Sequence, residues 1–467
     1  MTNISIGNKE VVHFVGIGGI GMSGLAQIMK IMGFNVQGSD LSKNKNTENC
    51  RKIGVKILKG HTRKNILKAT IIVKSSAITK SNVEIIEARK KKIPVYERAE
   101  MLANIVSLKK NIIVTGSHGK TTTTSLIAKI LSAAKLDPTI INGGVINSIK
   151  NNAKFGKGEW AVLEADESDG SFLKLPINYS VVTNVDNEHL DFYKNFKNLS
   201  NAFVKFINKT PPIGKSLICL DDKNLKKILK EIKSKNYLTY GFSKDSNYHI
   251  KNVKYKVENT NFDLNIKIYG SKNLIIKNIV LNLIGKHNVL NATAAIAVCL
   301  NLGVQSTVIK KALKNFSGVQ RRLTKIFVKD GKDFYDDYAH HPTEISAVLE
   351  GLREVHKKRK IISIFQPHRY SRLKNLKKKF SQSFNKSDIV ILCPMYAAGE
   401  KKDKNFNQIQ FGKMITKNSR VQVINIKNEI ELSEYLKKNL INKELVIGMG
   451  AGTISQWMIE LRDKLKQ

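Results

Sequence analysis

Short apolar runs alternate with segments of helical spacing over the first hundred residues. The runs "VVHFVG", "NVQGSD" and "TIIVKSSAI" are typical of strands, whereas "MSGLAQIMKIMG" and "VEIIEARKKK" have the apolar spacing of helices. Strands that alternate with helices predict a parallel sheet covered by helices. Residues 1–108 are therefore predicted to form a Rossmann-like domain.

The strand pattern restarts near residue 109 and again near residue 321. In the second segment, "HIKNVKYKV" and "FDLNIKIYG" alternate apolar and polar residues, which is typical of antiparallel strands, whereas "WAVLEAD" and "YSVVTNV" are apolar runs. The third segment returns to apolar runs, such as "KIISIFQPH" and "ELVIGMGAG", and predicts another parallel α/β layer. We therefore predict an α/β protein with a central mixed-sheet domain at 109–320 and a C-terminal Rossmann-like domain at 321–467.

Composition excludes several classes of protein. Lys and Arg number 79 against 38 Asp and Glu, a net charge of +41, but the lysines are spread over the chain, so we predict no nucleic-acid partner. A positive field would still attract an anionic substrate. No run reaches about 18 apolar residues and no signal peptide is visible, so we predict no membrane insertion and a cytoplasmic location. The four cysteines form no C-x-x-C pair, which argues against zinc or disulfides.

The first strand runs into "GIGGIG" at residues 16–21, which matches the G-x-G-x-x-G pattern between a strand and a helix. Asp40 ends the second strand, about where a dinucleotide-binding domain places an acidic residue. Glycines let the backbone approach a diphosphate at the N-terminus of a helix. The pattern leaves three alternatives: a nicotinamide dinucleotide, another nucleotide diphosphate, or a turn that only serves helix packing.

A second glycine loop, "VTGSHGKTTTTS", also joins a strand to a helix. It is shorter than the common P-loop G-x-x-x-x-G-K-[ST], because Val114 stands where the first glycine would be. Its two glycines free backbone N–H groups for phosphate, Lys120 can reach the terminal phosphates, and the Thr121 hydroxyl can bind Mg²⁺. We therefore predict that the central domain is P-loop ATPase-like and binds ATP.

Two acidic stretches follow the next two strands. These stretches supply candidate metal ligands: "LEADESDGSF" contains Glu164, Asp166, Glu167 and Asp169, and "TNVDNEHLDF" contains Asp186, Glu188, His189 and Asp191. Since the strand ends of a parallel sheet meet at one edge, both stretches are predicted to face the glycine loop. Carboxylates with one imidazole are reasonable ligands for Mg²⁺ bound to phosphate, although either stretch alone could be a solvated turn.

Together, "TGSHGKTTT", "EADESDGSF" and "NVDNEHLD" resemble the Mur ligases, the ATP-dependent amide-bond ligases of peptidoglycan synthesis, whose glycine loop has the same shortened spacing. The resemblance continues over all three predicted domains through "SSAI", "ERAEML", "GKHNVLNATAA", "FSGVQRR", "YDDYAHHPTEI" and "QPHRYSR". Within the family, "GIGGIGMSG" and "ESDGSF" resemble the members that join L-alanine to UDP-N-acetylmuramate, by way of an acyl phosphate. The alternatives are the ligases that attach a tripeptide to the same sugar nucleotide and, more remotely, an NAD-dependent oxidoreductase.

The resemblance also implies cofactors and roles for individual residues. The UDP-sugar would be bound by Gly18, Gly19, Ser39, Asp40, His61, Ser75, Ser76, Ala77 and Arg98. ATP would be bound by Gly116, Ser117, His118, Gly119, Lys120, Thr121, Thr122, Asn288, Asn291, Arg322 and Asp337. Mg²⁺ would be held by Thr121, Glu167 and His189.

In the third domain, the resemblance implies that the incoming amino acid lies near His340 and His341, either of which could act as the base or could simply shape the turn. Arg369 and Arg372 are three residues apart at a predicted helix start, and guanidinium groups suit a carboxylate. These four residues, with Lys120 and His189, are the predicted catalytic set. We expect a monomer or a weak homodimer.

Overall fold

The computed structural model describes residues 10–270, 272–403 and 405–465. The described residues form two compact units. The first unit contains the chain up to Asn252 with Phe262–Ile279 and Leu290–Ser317, and the second contains Val253–Asn261, Val280–Val289 and the chain from Gly318 onward. Within the described ranges, no helix is long and apolar enough to cross a membrane. The predicted boundary near residue 109 lies inside the first unit, so the domain limits stay predictions.

The N-terminal sheet belongs to the first unit. It contains the strands β1 (Val11–Val15), β2 (Asn35–Asp40), β3 (Lys56–Lys59), β4 (Ile71–Lys74) and β5 (Val95–Glu97), with the helices α1 (Ile20–Ile31), α2 (Lys45–Lys52), α3 (Val83–Lys90) and α4 (Arg98–Val106). The strands pair in parallel in the order β3-β2-β1-β4-β5. Their carboxyl ends therefore share one edge, and the order switches beside β1, where a doubly wound sheet opens a crevice.

The central sheet has ten strands in the described part of the chain. They are β6 (Lys110–Thr115), β7 (Thr139–Ile146), β8 (Asn151–Lys154), β9 (Trp160–Glu164), β10 (Tyr179–Val182), β11 (Lys215–Cys219), β12 (Tyr237–Gly241), β13 (Tyr248–Tyr255), β14 (Thr260–Ile266) and β15 (Leu274–Leu281). The helices are α5 (Lys120–Ala133), α6 (Leu190–Tyr193), α7 (Phe196–Asn208), α8 (Lys223–Ile228), α9 (Lys286–Asn301) and α10 (Ser306–Lys314).

The strand order of this sheet is β15-β14-β13-β12-β11-β10-β6-β9-β7-β8. β7 and β8 are antiparallel, whereas β6 is parallel to both of its neighbours, β9 and β10. The sheet is therefore mixed, as predicted. Because β6 lies between β9 and β10, the carboxyl ends of these three strands come together, and each is followed by one of the motifs singled out in the sequence.

The C-terminal sheet belongs to the second unit. Its strands are β16 (Thr324–Lys329), β17 (Lys332–Asp337), β18 (Ile361–Phe365), β19 (Ile389–Leu392), β20 (Gln422–Asn425) and β21 (Leu445–Met449). Its helices are α11 (Pro342–Val355), α12 (Tyr370–Ser381), α13 (Gln408–Ser419), α14 (Glu429–Asn439) and α15 (Ile454–Lys464). The strand order is β16-β17-β21-β18-β19-β20.

The prediction that this layer is parallel is wrong at one edge. The pairings from β17 to β20 are parallel, but β16 and β17 are antiparallel. Asp330 and Gly331 join these two strands with φ values of 50° and 75°. A two-residue hairpin turn of type I′ requires positive φ at both positions, and Asp-Gly is a favoured pair there. The Asp-Gly pair in the sequence therefore indicated a hairpin, but the apolar runs that follow it favoured a parallel sheet.

The strands are apolar because helices cover their faces. Ile112, Ile113 and Val114 of β6 are fully buried, and so are Val446 and Ile447 of β21. Parallel strands that are buried on both faces have continuous apolar runs, which explains the pattern seen in the sequence. All four cysteines are buried and free.

Candidate active site

The first glycine turn connects β1 to α1. Gly16 has a φ of 81°, a conformation that favours glycine. The N–H of Gly18 donates to Asp40 Oδ2 at 2.8 Å, and a Cβ at Gly18 would lie 2.8 Å from the same oxygen. Gly19 is the N-cap of α1, and because glycine has no side chain it leaves the first N–H groups of the helix uncapped. Such a helix start is suited to a diphosphate.

Most of the other predicted UDP-site residues follow the carboxyl ends of neighbouring strands. His61 comes shortly after β3, the segment 75–77 comes directly after β4, and Arg98 follows β5. Ser76 and Arg98 line a cleft of about 330 Å³, together with Lys174 of the central domain. The structure therefore gathers these residues along one edge of the N-terminal sheet.

Ser39 differs from these residues because its side chain is fully buried. Its Oγ donates to Glu84 Oε2 at 2.6 Å, and His61 Nδ1 lies 3.1 Å from the same carboxylate oxygen. Glu84, on α3, was not predicted from the sequence. No local pattern marks it, since the contact depends on how α3 packs against the segment Arg63–Ile66 that follows β3.

The second glycine loop connects β6 to α5. Gly116 and Gly119 have φ values of 127° and 82°, and a Cβ at Gly116 would collide with the segment 183–184 that follows β10. Asn184 Oδ1 accepts from the N–H of His118 at 2.9 Å, and Ser117 Oγ accepts from the N–H of Asp186 at 2.8 Å. The loop after β10 therefore holds the glycine loop in place, a role that the sequence did not suggest for Asn184.

Lys120 is enclosed by oxygen atoms. Its Nζ donates to Glu167 Oε2 at 2.9 Å and to the carbonyls of Gly116 and Ser117 at 2.5 and 3.2 Å. Burial would lower the pKa of Lys120, but the carboxylates of Glu167, Asp166 and Glu164 raise it overall, so the ammonium is charged. The structure thus places a fixed positive charge at the loop, where the terminal phosphates of a nucleotide would bind.

The predicted metal ligands are brought together only in part. Ligand atoms of Asp166, Glu167 and His189 all lie within 4.8 Å of one another. The Thr121 hydroxyl instead donates to Glu164 Oε1 at 3.0 Å. Two carboxylates and an imidazole could hold a divalent cation, and Asp166 was a candidate from the acidic stretch but not one of the three ligands that the resemblance implies.

The two predicted asparagines lie on α9 but have different surroundings. A Cβ at Gly119 would come within 2.5 Å of Asn291 Oδ1, so Asn291 lies against the glycine loop. Asn288 Nδ2 donates to the carbonyl of Ile284 at 2.8 Å. Thr122, also predicted to contact ATP, is buried in the first turn of α5.

Within the second unit, Asp337 ends β17 and is buried. Its two oxygens accept from the N–H groups of Leu323 and Ala339 at 2.6 and 2.7 Å. Burial raises the pKa of Asp337 to about 6, although Arg322 and these N–H groups act in the opposite direction. The guanidinium of Arg322 lies over the ring of Tyr338 at 5.4 Å. Asp337 therefore connects the residue before β16 to the segment that follows β17.

The two neighbouring histidines differ. His341 is fully buried and caps α11, where its Nδ1 accepts from the N–H of Thr343 at 3.4 Å. His340 Nδ1 donates to the carbonyl of Tyr338 at 2.8 Å, which makes Nε2 the acceptor nitrogen of a neutral ring. Burial lowers the pKa of His340 to about 3, so this ring is neutral at physiological pH.

The two predicted arginines flank the start of α12. Arg369 is exposed with a φ of 67°, and Arg372 Nη1 donates to His368 Nδ1 at 3.2 Å. The His368 ring stacks on Tyr396 at 5.5 Å and meets His340 edge-on at 5.9 Å. His368 and Tyr396 were not predicted, although His368 directly precedes Arg369 in the quoted motif. Tyr396 carried no signal, since it follows a different strand.

Three family models match the chain in succession. The Mur ligase family catalytic domain matches residues 11–110, the Mur ligase middle domain matches residues 114–299, and the glutamate ligase domain of the Mur ligases matches residues 321–452. The chain belongs to the Mur ligase family.

Individual relatives show which members of the Mur ligase family the chain is similar to. The UDP-N-acetylmuramate–L-alanine ligase of Pelagibacter ubique is 58% identical over 458 residues, which cover 98% of this chain and 99% of the relative. The UDP-N-acetylmuramate–alanine ligase of Thermotoga maritima, a crystal structure, has a TM-score of 0.81 and 28% identity, and covers 97% of this chain and 99% of its own. A murein peptide ligase from Psychrobacter arcticus has a TM-score of 0.70 and 20% identity over 98% of each chain, which shows a likeness of fold alone. The predicted three-domain α/β fold is confirmed.

Proposed function

We propose that this chain is an ATP-dependent ligase that joins L-alanine to the lactyl carboxylate of UDP-N-acetylmuramate in peptidoglycan synthesis. The observation that carries the proposal is the arrangement around Lys120, where a glycine loop after β6 meets acidic residues that follow β9. A whole-length relative at 58% identity is a UDP-N-acetylmuramate–L-alanine ligase. We expect the enzyme to act in the cytoplasm, as a monomer or a weak homodimer.

The UDP part of the sugar nucleotide would bind at the first glycine turn. The N-terminus of α1 and the glycines beside it suit a diphosphate, and Arg98 and Lys174 add positive charge to the adjoining cleft. The dinucleotide alternative accounts for this turn equally well. It leaves the second glycine loop and the charged Lys120 unexplained, so we do not favour it.

ATP would bind with its phosphates on the loop 116–119 and beside Lys120. The carboxylates of Asp166 and Glu167 are oxygen donors of the kind that Mg²⁺ prefers, and the ligand atom of His189 lies within 4.8 Å of theirs. When bound, Mg²⁺ would neutralise phosphate charge. The chain's own contribution is to hold the loop N–H groups and the Lys120 ammonium toward the γ-phosphate.

A carboxylate does not react with an amine at neutral pH because its oxygen is a poor leaving group. In the proposed reaction, a lactyl carboxylate oxygen attacks the γ-phosphorus, ADP leaves, and an acyl phosphate forms. Lys120 meets the charge of the transferring phosphoryl group. The amine of L-alanine then attacks the acyl carbon, and phosphate departs with the former carboxylate oxygen.

His340 is the better candidate for the base that takes the amine proton. Its Nδ1–H is committed to the Tyr338 carbonyl, so Nε2 carries the lone pair. Burial lowers the pKa of this ring to about 3 in the free protein, so the proposed role requires that bound substrates raise the pKa toward neutrality. His341 instead uses Nδ1 to cap α11. Arg369 and Arg372 would bind the alanine carboxylate.

Isotope transfer tests this route. UDP-N-acetylmuramate labelled with ¹⁸O in the lactyl carboxylate would be incubated with Mg·ATP and L-alanine, and the released phosphate analysed by mass spectrometry. We expect one ¹⁸O atom in each phosphate and an alanyl amide as the other product. Amide formation with unlabelled phosphate would exclude the acyl phosphate. Product formation from the tripeptide but not from L-alanine would favour the tripeptide ligases.

A further inference from the structure

A buried polar cluster lies directly behind the predicted UDP site. Its centre is Glu84, which is fully buried on α3. Glu84 Oε2 accepts from Ser39 Oγ at 2.6 Å, and Glu84 Oε1 accepts from Asn65 Nδ2 at 2.5 Å and from the N–H of Thr62 at 3.4 Å. His61 Nδ1 lies 3.1 Å from Oε2. One carboxylate therefore connects α3 to the end of β2 and to the segment after β3.

The carboxylate is ionised. Burial alone would raise the pKa of Glu84, but the neighbouring His13 ring and the hydrogen bonds from Ser39 and Asn65 outweigh it and lower the pKa to about 2. Ser39 and Asn65 must then donate to the carboxylate. His13 Nε2 lies 3.5 Å from Oε2, longer than a good hydrogen bond, and carries the ring proton because Nδ1 accepts from the Gln37 side-chain amide at 3.2 Å.

The same argument fixes the protons of His61. Nδ1 of this ring faces two oxygens, Ser39 Oγ and Glu84 Oε2, each at 3.1 Å. The single hydroxyl proton of Ser39 is directed at Glu84, so neither oxygen can donate to His61. Nδ1 must therefore carry the proton, and in the neutral ring Nε2 must be an acceptor. The His61 side chain is 12% exposed, whereas Glu84 is not exposed at all.

We propose that Glu84 is a positioning residue of the UDP-sugar site, which holds His61 in the Nδ1–H tautomer so that its Nε2 accepts a hydrogen bond from a hydroxyl or imide N–H of the UDP moiety. Ser39 then acts as part of this support and not as a ligand contact. The inference rests on the proposed function for the identity of the ligand. The proton arrangement itself rests only on the contacts within the free protein.

The Glu84→Gln variant inverts this arrangement. If its amide oxygen keeps the contacts with Asn65 and Thr62, its NH₂ group faces Ser39 and His61 and donates to them. His61 Nδ1 then becomes an acceptor, and Nε2 becomes a donor that opposes the donor of the ligand. We expect binding of UDP to weaken roughly 10-fold or more, since two facing donors replace a hydrogen bond.

The first measurement uses the wild-type protein with ¹⁵N-labelled histidine, in which protonated and unprotonated ring nitrogens have separate chemical shifts. The His61 signal is assigned by its loss in His61→Ala. We expect His61 to carry its proton on Nδ1 in the wild type and on Nε2 in Glu84→Gln. A proton on Nε2 in the wild type would overturn the proposal without any variant having to fold.

The second measurement is calorimetric titration with UDP. Glu84→Gln should weaken UDP binding and raise KM for the UDP-sugar, with kcat and KM for ATP nearly unchanged. In a His61→Ala background the same change should add less than about twofold, because the effect acts through His61. Additive losses would make Glu84 merely structural and would overturn the proposal.

Glu444→Gln is the matched control. Glu444 is another buried carboxylate, but it accepts from the backbone N–H groups of Ile441 and Asn442 in the second unit, so UDP binding should not change. UDP binding without ligase activity would refute the proposed function and leave this inference standing. Failure of the wild type to bind UDP would contradict both the predicted UDP site and this inference.

Discussion

Replacement of Gly119 by alanine tests how the glycine loop depends on its neighbours. Gly119 has a φ of 82°, and its added Cβ would lie 2.5 Å from Asn291 Oδ1. A non-glycine residue in this conformation costs about 1–2 kcal/mol. Asn291 is only 6% exposed, so moving its side chain should add on the order of 1 kcal/mol. We therefore expect the free energy of unfolding to fall by about 2–3 kcal/mol in total.

Gly303→Ala is a matched control because it measures only the cost of placing alanine at a positive φ. Its φ is 79°, but nothing lies within 4 Å of a Cβ at this position. Gly303→Ala should therefore lower the free energy of unfolding by only about 1–2 kcal/mol and should leave catalysis unchanged. The difference between the two variants measures the contact of residue 119 with Asn291.

The assays are urea denaturation and initial rates at varied ATP. Gly119→Ala should raise KM for ATP by roughly 10-fold, since the shifted loop loses backbone hydrogen bonds to phosphate, and should change KM for the UDP-sugar little. The Asn291→Ala change should restore part of the lost stability in the double variant. Equal stability of the two glycine variants, with an unchanged KM for ATP, would refute this account of the loop.

Two further predictions concern ionisable groups. Lys120→Met leaves the buried carboxylate of Glu167 without its ammonium partner and should lower the free energy of unfolding by about 3–5 kcal/mol, and adding Glu167→Gln should recover part of this loss. Lys110→Met, which breaks the exposed pair with Glu159, should change stability far less in the same denaturation assay. The pKa of His340 is about 3 in the folded protein and near 6.5 when unperturbed, so the unfolded chain takes up a proton that the folded chain excludes. The stability that the neutral His340 ring contributes should therefore be complete above pH 6.5 and decline as the pH falls toward 3. The difference in the free energy of unfolding between the wild type and His340→Gln should show the same pH dependence. A difference that stays constant from pH 7 to pH 5 would contradict this prediction.

The parts of this protein that could be predicted from its sequence are those that local physics determines. The β6 strand has to be apolar because it is covered on both faces, and a glycine loop has to follow it if a phosphate is to approach the backbone. The acidic stretch near Glu167 could be placed beside the loop because parallel strands end at one edge. The family resemblance added individual roles, which stay predictions.

The remaining features depend on tertiary contacts that no local pattern records. Glu84 meets His61 and Ser39 only because α3 packs against the segment Arg63–Ile66, which brings its first turn to the end of β2. Thr121 donates to Glu164 and not to Glu167, because this contact joins the first turn of α5 to the end of β9. The hairpin at Asp330 and Gly331 is different, since the turn dipeptide was visible but the surrounding apolar runs suggested a parallel layer.

The central claim is tested most directly by phosphate release from Mg·ATP in the presence of UDP-N-acetylmuramate, measured with L-alanine, D-alanine, the tripeptide or no amine. The proposal predicts rapid release only when UDP-N-acetylmuramate and L-alanine are both present. Release with the tripeptide alone would assign the chain to the tripeptide ligases. A folded protein that releases no phosphate with any of these amines would contradict the proposed function.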